Sequence, residues 1–181
     1  MAGEAGEVAA RDHSVGVQLI AQQAKAYARM GRRDDMLKTL ERGRVTLDAM
    51  PYPDNVENHF VVDPSKYDFY AMDCYRMAGE NKLATELSDE VIRVSTGFGD
   101  DVRWPMRVAE AEVTLGVVAA REGDLDEAVA RGRRALSVGR KSIPSLSFVA
   151  QDLSSVLTEQ YAGESEADAY LEELSVVRRP R

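Results

Sequence analysis

The segment LGVVAAREGDLDEAVARGRRAL, residues 115–136, decides the fold of this chain. Its Gly123-Asp124 step separates two runs in which apolar residues recur at helical spacing. Asp124, followed three residues later by Glu127, is the pattern of a capping box, which starts a helix. Small residues recur where two helices would approach each other, at Gly116, Gly123, Ala128 and Ala135. The segment therefore predicts two antiparallel helices, a helical hairpin.

Fainter copies of this hairpin lie on both sides of it. Glycines that would form the turns recur roughly every 40–48 residues, at Gly31, Gly79, Gly123 and Gly163. This repetition predicts an all-α chain, an α-solenoid of about four antiparallel helical hairpins in one domain, 14–177. The hairpins are placed at about 14–50, 64–95, 105–140 and 144–177, between a polar tail or helix end at 1–13 and a basic tail at 178–181.

Asp63 and Pro64 mark the start of the third predicted helix. An aspartate accepts hydrogen bonds from the free N–H groups of a first helical turn, and proline suits the first helical position because its φ angle is already helical. The aromatic residues that follow are interpreted as core rather than as a cage around a ligand; they are Tyr67, Phe69, Tyr70 and Tyr75.

Charge and composition argue against nucleic-acid binding and membrane association. A formal net charge of -8 and a pI near 4.9 argue against direct nucleic-acid binding, because phosphate binding needs a basic surface. The arginines of residues 131–140 are interpreted as a solvated face. No apolar run approaches the roughly 20 residues that cross a bilayer, so we expect no membrane association. A lone Cys74 and an N-terminus without an apolar segment predict a reducing, cytoplasmic setting.

Residue types that carry chemistry do not cluster in this sequence. Two histidines and one cysteine cannot form a His/Cys metal cluster. The sequence contains no Walker A loop, no GxGxxG after a strand and no GxSxG elbow. We therefore expect a binding protein that is not an enzyme and uses neither a cofactor nor a metal.

The Leu-Gly, turn-glycine and Ala-Leu pattern of residues 115–136 resembles the tetratricopeptide repeat (TPR). A narrower resemblance is carried by NHFVVDPSKYDFYAMDCYRMAGE (58–80), PMRVAEAEVTLGVVAAREGDLDEAV (105–129) and GRKSIPSL (139–146). These segments look like the C-terminal TPR region of actinobacterial helix-turn-helix (XRE-type) transcriptional regulators, which carry a DNA-binding domain before their repeats. Nothing in this chain has the pattern of that domain.

The resemblance implies a right-handed superhelix that binds a protein or peptide. The chain would be the regulatory or sensing part of a transcriptional regulator, or a freestanding relative. One alternative is a receptor for a small molecule or signalling peptide that controls a DNA-binding domain. Self-association through a helical face, giving a homodimer, is another.

In such solenoids the first helix of each hairpin lines the concave face, where partners bind. The residues on that side that the hairpin does not need for its own packing are Gln18, Lys25, Arg29, Lys66, Phe69, Asp73, Arg76, Glu110 and Arg121. Basic and aromatic side chains together suit a peptide with an acidic or carboxylate group. For each of these residues the alternative is an ordinary solvated position.

Overall fold

A computed structural model describes residues 14–56, 61–96, 102–138 and 143–178. These residues form eight helices: α1 Ser14–Arg29, α2 Arg33–Asp48, α3 Pro64–Ala78, α4 Asn81–Ser95, α5 Pro105–Arg121, α6 Leu125–Ser137, α7 Ile143–Gln160 and α8 Ser165–Arg178. Within these ranges the β-structure is limited to one isolated antiparallel bridge between Thr96 and Val102. The predicted all-α class is confirmed. Among the described helices, none is long and apolar enough to cross a membrane.

The chain divides into two compact units, Met1–Glu80 and Asn81–Arg181. In the first unit α1 packs against α2 and α3, and α2 also contacts α3. Its buried side chains include Val17, Met36, Leu40, Tyr67 and Met72. The prediction of a single domain over 14–177 stays a prediction. The predicted tail at 1–13 lies outside the described residues, and Arg178, the first residue of the predicted basic tail, ends α8.

Helix α5 is the centre of the second unit. It packs against α4, α6 and α7, while α8 contacts α6 and α7. Every residue of α5 from Val108 to Ala120 is buried. A helix can be apolar on most of its sides when neighbours cover all of them, and the core of this unit accordingly contains Val113, Val117 and Ala120 together with Leu153 of α7.

The predicted start of α3 is confirmed by its hydrogen bonds. Asp63 Oδ1 accepts the backbone N–H of Ser65 at 2.8 Å and that of Lys66 at 3.2 Å. Pro64 occupies the first helical position, where its missing N–H costs nothing. Asp63 is only 2% exposed; its Oδ1 accepts these bonds, whereas its Oδ2 is buried without a hydrogen-bond partner among the described residues.

The start of α6 differs from the predicted capping box. Asp124 Oδ1 accepts the backbone N–H of Glu127 at 3.0 Å, as expected. The Glu127 carboxylate, however, accepts hydrogen bonds from Arg131 at 2.6 Å and Arg134 at 3.1 Å. The Asp124 N–H donates instead to the Ala119 carbonyl at 2.9 Å. Only half of the capping box forms, because two guanidinium groups attract the carboxylate more strongly than one backbone N–H does.

The turns at Gly31, Gly79 and Gly123 have the same geometry. Each glycine has a positive φ, between 67° and 92°, which residues with a side chain rarely adopt. The N–H of the residue after each glycine donates to the carbonyl five residues earlier at 2.9 Å, and each glycine N–H donates three residues back at 3.1–3.3 Å. This is the Schellman motif that ends a helix. The predicted turn glycines therefore act as helix terminators in both units.

Two other glycines make room for tyrosine rings. A Cβ on Gly43 of α2 would overlap the Tyr67 hydroxyl and lie 2.9 Å from its Cζ and 3.0 Å from Ile20 Cγ2. The Tyr67 hydroxyl lies there because it donates to the Leu40 carbonyl at 2.6 Å. In the second unit, a Cβ on Gly132 would come within 2.5–2.7 Å of the Tyr170 ring. The interpretation of Tyr67 as core is confirmed, since it is 1% exposed.

Candidate functional site

Seven of the nine residues predicted to bind a partner lie in the first unit, on two helices that pack together. On α1 these are Gln18, Lys25 and Arg29, and on α3 they are Lys66, Phe69, Asp73 and Arg76. Within each helix the spacings are three, four or seven residues, so each set follows one side of its helix. Since α1 contacts α3, the structure brings members of the two sets together.

The closest association between the two helices is an ion-paired cluster of Lys25, Asp73 and Arg76. Lys25 Nζ is hydrogen-bonded to Asp73 Oδ2, and Arg76 Nη1 lies 2.8 Å from Asp73 Oδ1. Asp73 is 2% exposed and Arg76 1%, whereas the Lys25 side chain is 22% exposed. A buried carboxylate needs opposite charge around it, and here α1 supplies one cation and α3 the other. Lys25 is the member of the cluster that water, or a partner, reaches.

The charges of this cluster affect the pKa of the neighbouring Cys74 thiol. The pKa of the Cys74 thiol is raised to about 12, chiefly by burial and also by the negative charge of Asp73, while the positive charges of Lys25, Arg76 and Arg29 act to lower it. Arg29 is exposed at the end of α1, yet its positive charge acts to lower the pKa of this thiol. Three cations and one carboxylate therefore share this part of the unit. The thiol itself stays protonated at neutral pH and is not a nucleophile.

Two further predicted residues of α3 have different surroundings. Lys66 is 8% exposed, and its ammonium donates to the Val61 carbonyl at 2.9 Å, so it holds the segment before α3 in place. Phe69 is half-buried, with its ring centroid 5.8 Å from that of Tyr70. Phe69 stands one turn before Asp73 on α3, so it offers apolar surface next to the ion-paired cluster.

The remaining predicted residues are on α5 in the second unit. Glu110 is 9% exposed and Arg121 is half-buried, and each takes part in an electrostatic or hydrogen-bonding interaction. The sequence did not single out Glu112, which is 8% exposed and accepts hydrogen bonds from Arg131 at 3.1 Å and Arg134 at 3.3 Å. Nothing local marks Glu112, since its partners follow 19 and 22 residues later on the next helix.

The basic residues around the end of α6 were predicted to form a solvated face, and Arg133 and Arg134 are exposed, at 42% and 47%, while Arg131 is 26% exposed; Arg140 and Lys141 lie outside the described residues. Arg131 pairs with Glu112 and Glu127, and Arg133 lies 2.9 Å from Glu173 and 3.3 Å from Glu166 of α8. The i,i+4 spacing of Glu127 and Arg131 was a usable signal for that pair. These pairs link α6 to α5 and to α8, and because most of their side chains are partly or largely exposed, each pair contributes little to stability.

The cluster of Lys25, Asp73 and Arg76 can exchange ion pairs with a charged partner. The neighbouring thiol of Cys74 is protonated, and the carboxylate of Asp73 is buried between cations. Among the residues that the structure describes, no group of three or more His, Cys, Asp or Glu side chains is arranged to hold a metal ion. No protein-family model matches the chain, and no curated protein and no solved structure resembles it significantly.

Proposed function

We propose that this chain is a non-catalytic helical-repeat module that binds an acidic protein or peptide segment. The proposed architecture is a TPR-like, right-handed α-solenoid of about four antiparallel hairpins. Its support is the Schellman turn that recurs unchanged at Gly31, Gly79 and Gly123, with a buried residue five positions after each glycine: Met36, Ala84 and Ala128. Repeated turns with repeated core positions are what a repeat protein requires.

The observation that carries the binding proposal is the cluster of Lys25, Asp73 and Arg76, with Arg29 beside it. Lys25 and Arg76 pair with the Asp73 carboxylate, and the charge of Arg29 acts on the adjacent Cys74, in a chain whose formal net charge is -8. A carboxylate of a partner would meet Lys25 and Arg29, which are the accessible cations, and form charge-assisted hydrogen bonds with them. Phe69 would add an apolar contact for a neighbouring side chain of the partner. An acidic segment is therefore the class of ligand that this surface fits.

The biological role proposed for this module is regulation of transcription in the cytoplasm, as part of a regulator or as a freestanding relative of one. This part rests on the resemblance of residues 58–80 and 105–129 to the repeat region of XRE-type regulators. A bound segment would then alter the state of a DNA-binding domain that is attached to the module or bound by it.

The binding proposal is tested with short fluorescent peptides that contain Asp and Glu, beside matched peptides in which these are Asn and Gln. We expect fluorescence anisotropy to show binding of the acidic peptides only, and binding should weaken as salt rises, because ions screen charges over about 8–10 Å. Arg29→Glu should weaken it by about tenfold or more, since an attraction becomes a repulsion.

The matched control is Lys38→Glu, which reverses one exposed charge on α2 of the same unit. It changes the net charge by as much as Arg29→Glu does, so the long-range repulsion between the chain and an acidic peptide rises equally in both variants. Circular dichroism checks that both stay helical. If the two variants bind acidic peptides equally well, or if the Asn and Gln peptides bind as tightly as the acidic ones, the surface around Lys25 and Arg29 is not the binding site.

A further inference from the structure

Helix α1 has an apolar strip on the side that faces away from its core. Val15, Leu19 and Met30 are 56%, 62% and 66% exposed, and Ala26 is exposed between them. Spacings of four, seven and four residues put these four side chains on one side of a helix. Met30 follows the last residue of α1 but continues its turn, since its N–H donates to the Ala26 carbonyl at 3.1 Å. Single exposed apolar residues are normal, whereas a contiguous strip marks an interaction surface.

A basic edge borders the strip on the side toward α3. Successive residues of an α-helix are rotated by about 100°, so Arg29 lies about 40° around α1 from Val15, and Lys25 lies about 40° beyond Arg29. Lys25 is paired with Asp73 of α3, which places this edge beside the ion-paired cluster. Since Lys25 and Arg29 are the accessible cations of the proposed peptide site, a segment bound there lies directly next to the strip.

A further cation borders the strip on the side toward α2. Arg42 Nη2 donates to Gln23 Oε1 at 2.6 Å, and Gln23 lies about 20° around α1 from Met30. Arg42 is exposed, and Asp35, seven residues before it on α2, is paired with Arg32 at 2.7 Å. The charge of Asp35 is therefore balanced by Arg32 and leaves that of Arg42 in place. The apolar strip thus lies between positive charges on both sides.

We propose that the acidic segment bound by this protein is an amphipathic helix, whose apolar side packs along the strip and whose acidic residues on either flank meet Arg29 and Arg42. This inference rests on the proposed peptide binding and names the conformation of the ligand. The backbone N–H and C=O groups of α1 are bonded within the helix, so the partner cannot add a strand to it and must satisfy its own backbone groups. A helix does so, and apolar residues at helical spacing then match the strip.

The size and charge of the strip fit such a ligand. The strip is about 23 Å long, which a helix of about four turns covers. A second copy of the chain would bring a further net charge of -8 and the same basic edges, so repulsion opposes it. An anionic membrane would attract the same cations but repel the rest of this acidic chain. A short segment with a few carboxylates meets much less repulsion than either and still pairs with cations on both edges.

Two labelled peptides of identical composition test this inference by fluorescence anisotropy. One has leucines at helical spacing with glutamates on both flanks, and the other has the same residues in an order without that period. Ion pairing alone would bind the two peptides equally. A helix on the strip should make the periodic peptide bind at least about tenfold more tightly, and difference circular dichroism should show helix gained when it binds.

Variants of the full chain locate the contact. Leu19→Gln removes apolar surface from the strip without changing the charge, and glutamine forms helices nearly as well as leucine does. It should weaken binding of the periodic peptide about fivefold or more and leave the scrambled peptide unaffected. Val45→Gln is the matched control, since Val45 is 59% exposed on α2. Arg42→Glu should also weaken the periodic peptide, although Arg42 is not part of the cluster of Lys25, Asp73 and Arg76.

The outcomes separate this inference from the proposed function. If both peptides bind equally and Arg29→Glu weakens both, the peptide site stands and the helical ligand is overturned. If neither peptide binds, both proposals fail. Binding of the periodic peptide that Leu19→Gln leaves intact overturns the contact with the strip. So does sedimentation of the chain with phosphatidylglycerol vesicles that Leu19→Gln abolishes, because a membrane would then be what covers the strip.

Discussion

Replacing Gly43 by alanine should destabilise the first unit, although alanine is the better helix former. At an open helical position this change would stabilise the protein by about 0.5–1 kcal/mol. Here the new methyl group would overlap the Tyr67 hydroxyl, and Ile20 Cγ2, 3.0 Å away, blocks one direction of relief. Overpacking of a buried site costs about 1–3 kcal/mol.

The hydrogen bond of Tyr67 adds to this cost. Its hydroxyl donates to the Leu40 carbonyl at 2.6 Å, and the ring is 1% exposed, so a displaced hydroxyl would find no water. Losing that bond costs about 1–3 kcal/mol. After the helix-propensity gain is subtracted, Gly43→Ala should lower the free energy of unfolding by about 1–5 kcal/mol. The effect matters for the proposed function because Tyr67 fixes the position of α3, which carries Asp73 and Arg76.

Urea unfolding followed by far-ultraviolet circular dichroism measures this loss. Trp104, the one tryptophan of the chain, lies in the second unit. Its fluorescence shows in parallel whether that unit is affected. Combining Gly43→Ala with Tyr67→Phe removes the overlapping oxygen, so alanine should cost less in that background. If Gly43→Ala is neutral or stabilising, or costs the same with and without the hydroxyl, then the close contact between α2 and Tyr67 does not exist as described.

Three further predictions concern buried polar groups. Cys74 should react with a disulfide reagent at neutral pH only as fast as the protein opens, because burial raises its pKa to about 12; rapid labelling of the folded protein would contradict this. Burial raises the pKa values of Cys74, Tyr67 and Tyr75 above those of the unfolded chain, so stability is fully present below about pH 9 and should fall as pH rises toward 12. A melting temperature that stays constant over that range would show that these groups are hydrated. Asp63→Ala should cost about 1–2 kcal/mol of unfolding free energy, since Asp63 accepts two N–H groups of α3; an unchanged urea midpoint would mean that water replaces the carboxylate.

Local chemistry made the ends of the helices predictable. The sequence pair Asp63-Pro64 carries its own start signal, and Gly31, Gly79 and Gly123 carry their own stop signals, because a positive φ is easy only for glycine. Helical periodicity in the runs between these signals then suffices to predict an all-α chain. Every one of these signals acts within about five residues, which is the range that reading a sequence covers well.

Contacts between residues that lie far apart in the sequence could not be predicted. Lys25 and Asp73 stand 48 residues apart, and the sequence placed both on a binding face without showing that they bond to each other. The close contact at Gly43 involves a ring 24 residues later in the sequence, which no pattern around Gly43 indicates. Glu127 matched a local pattern and was drawn away from it by two arginines. The first two cases depend on how two helices pack, which no local pattern contains. The third is a competition within α6, where Glu127 has two local partners to choose between.

The continuous burial of α5 from Val108 to Ala120 has a consequence for the dynamics of the second unit. Water reaches the amides of this stretch only after α4, α6 and α7 have separated from it. Its amide hydrogens should therefore be the last of the unit to be replaced by deuterium, at the rate of global unfolding rather than of local fraying. Helix α8, which packs mainly against α6 and α7, should exchange long before it.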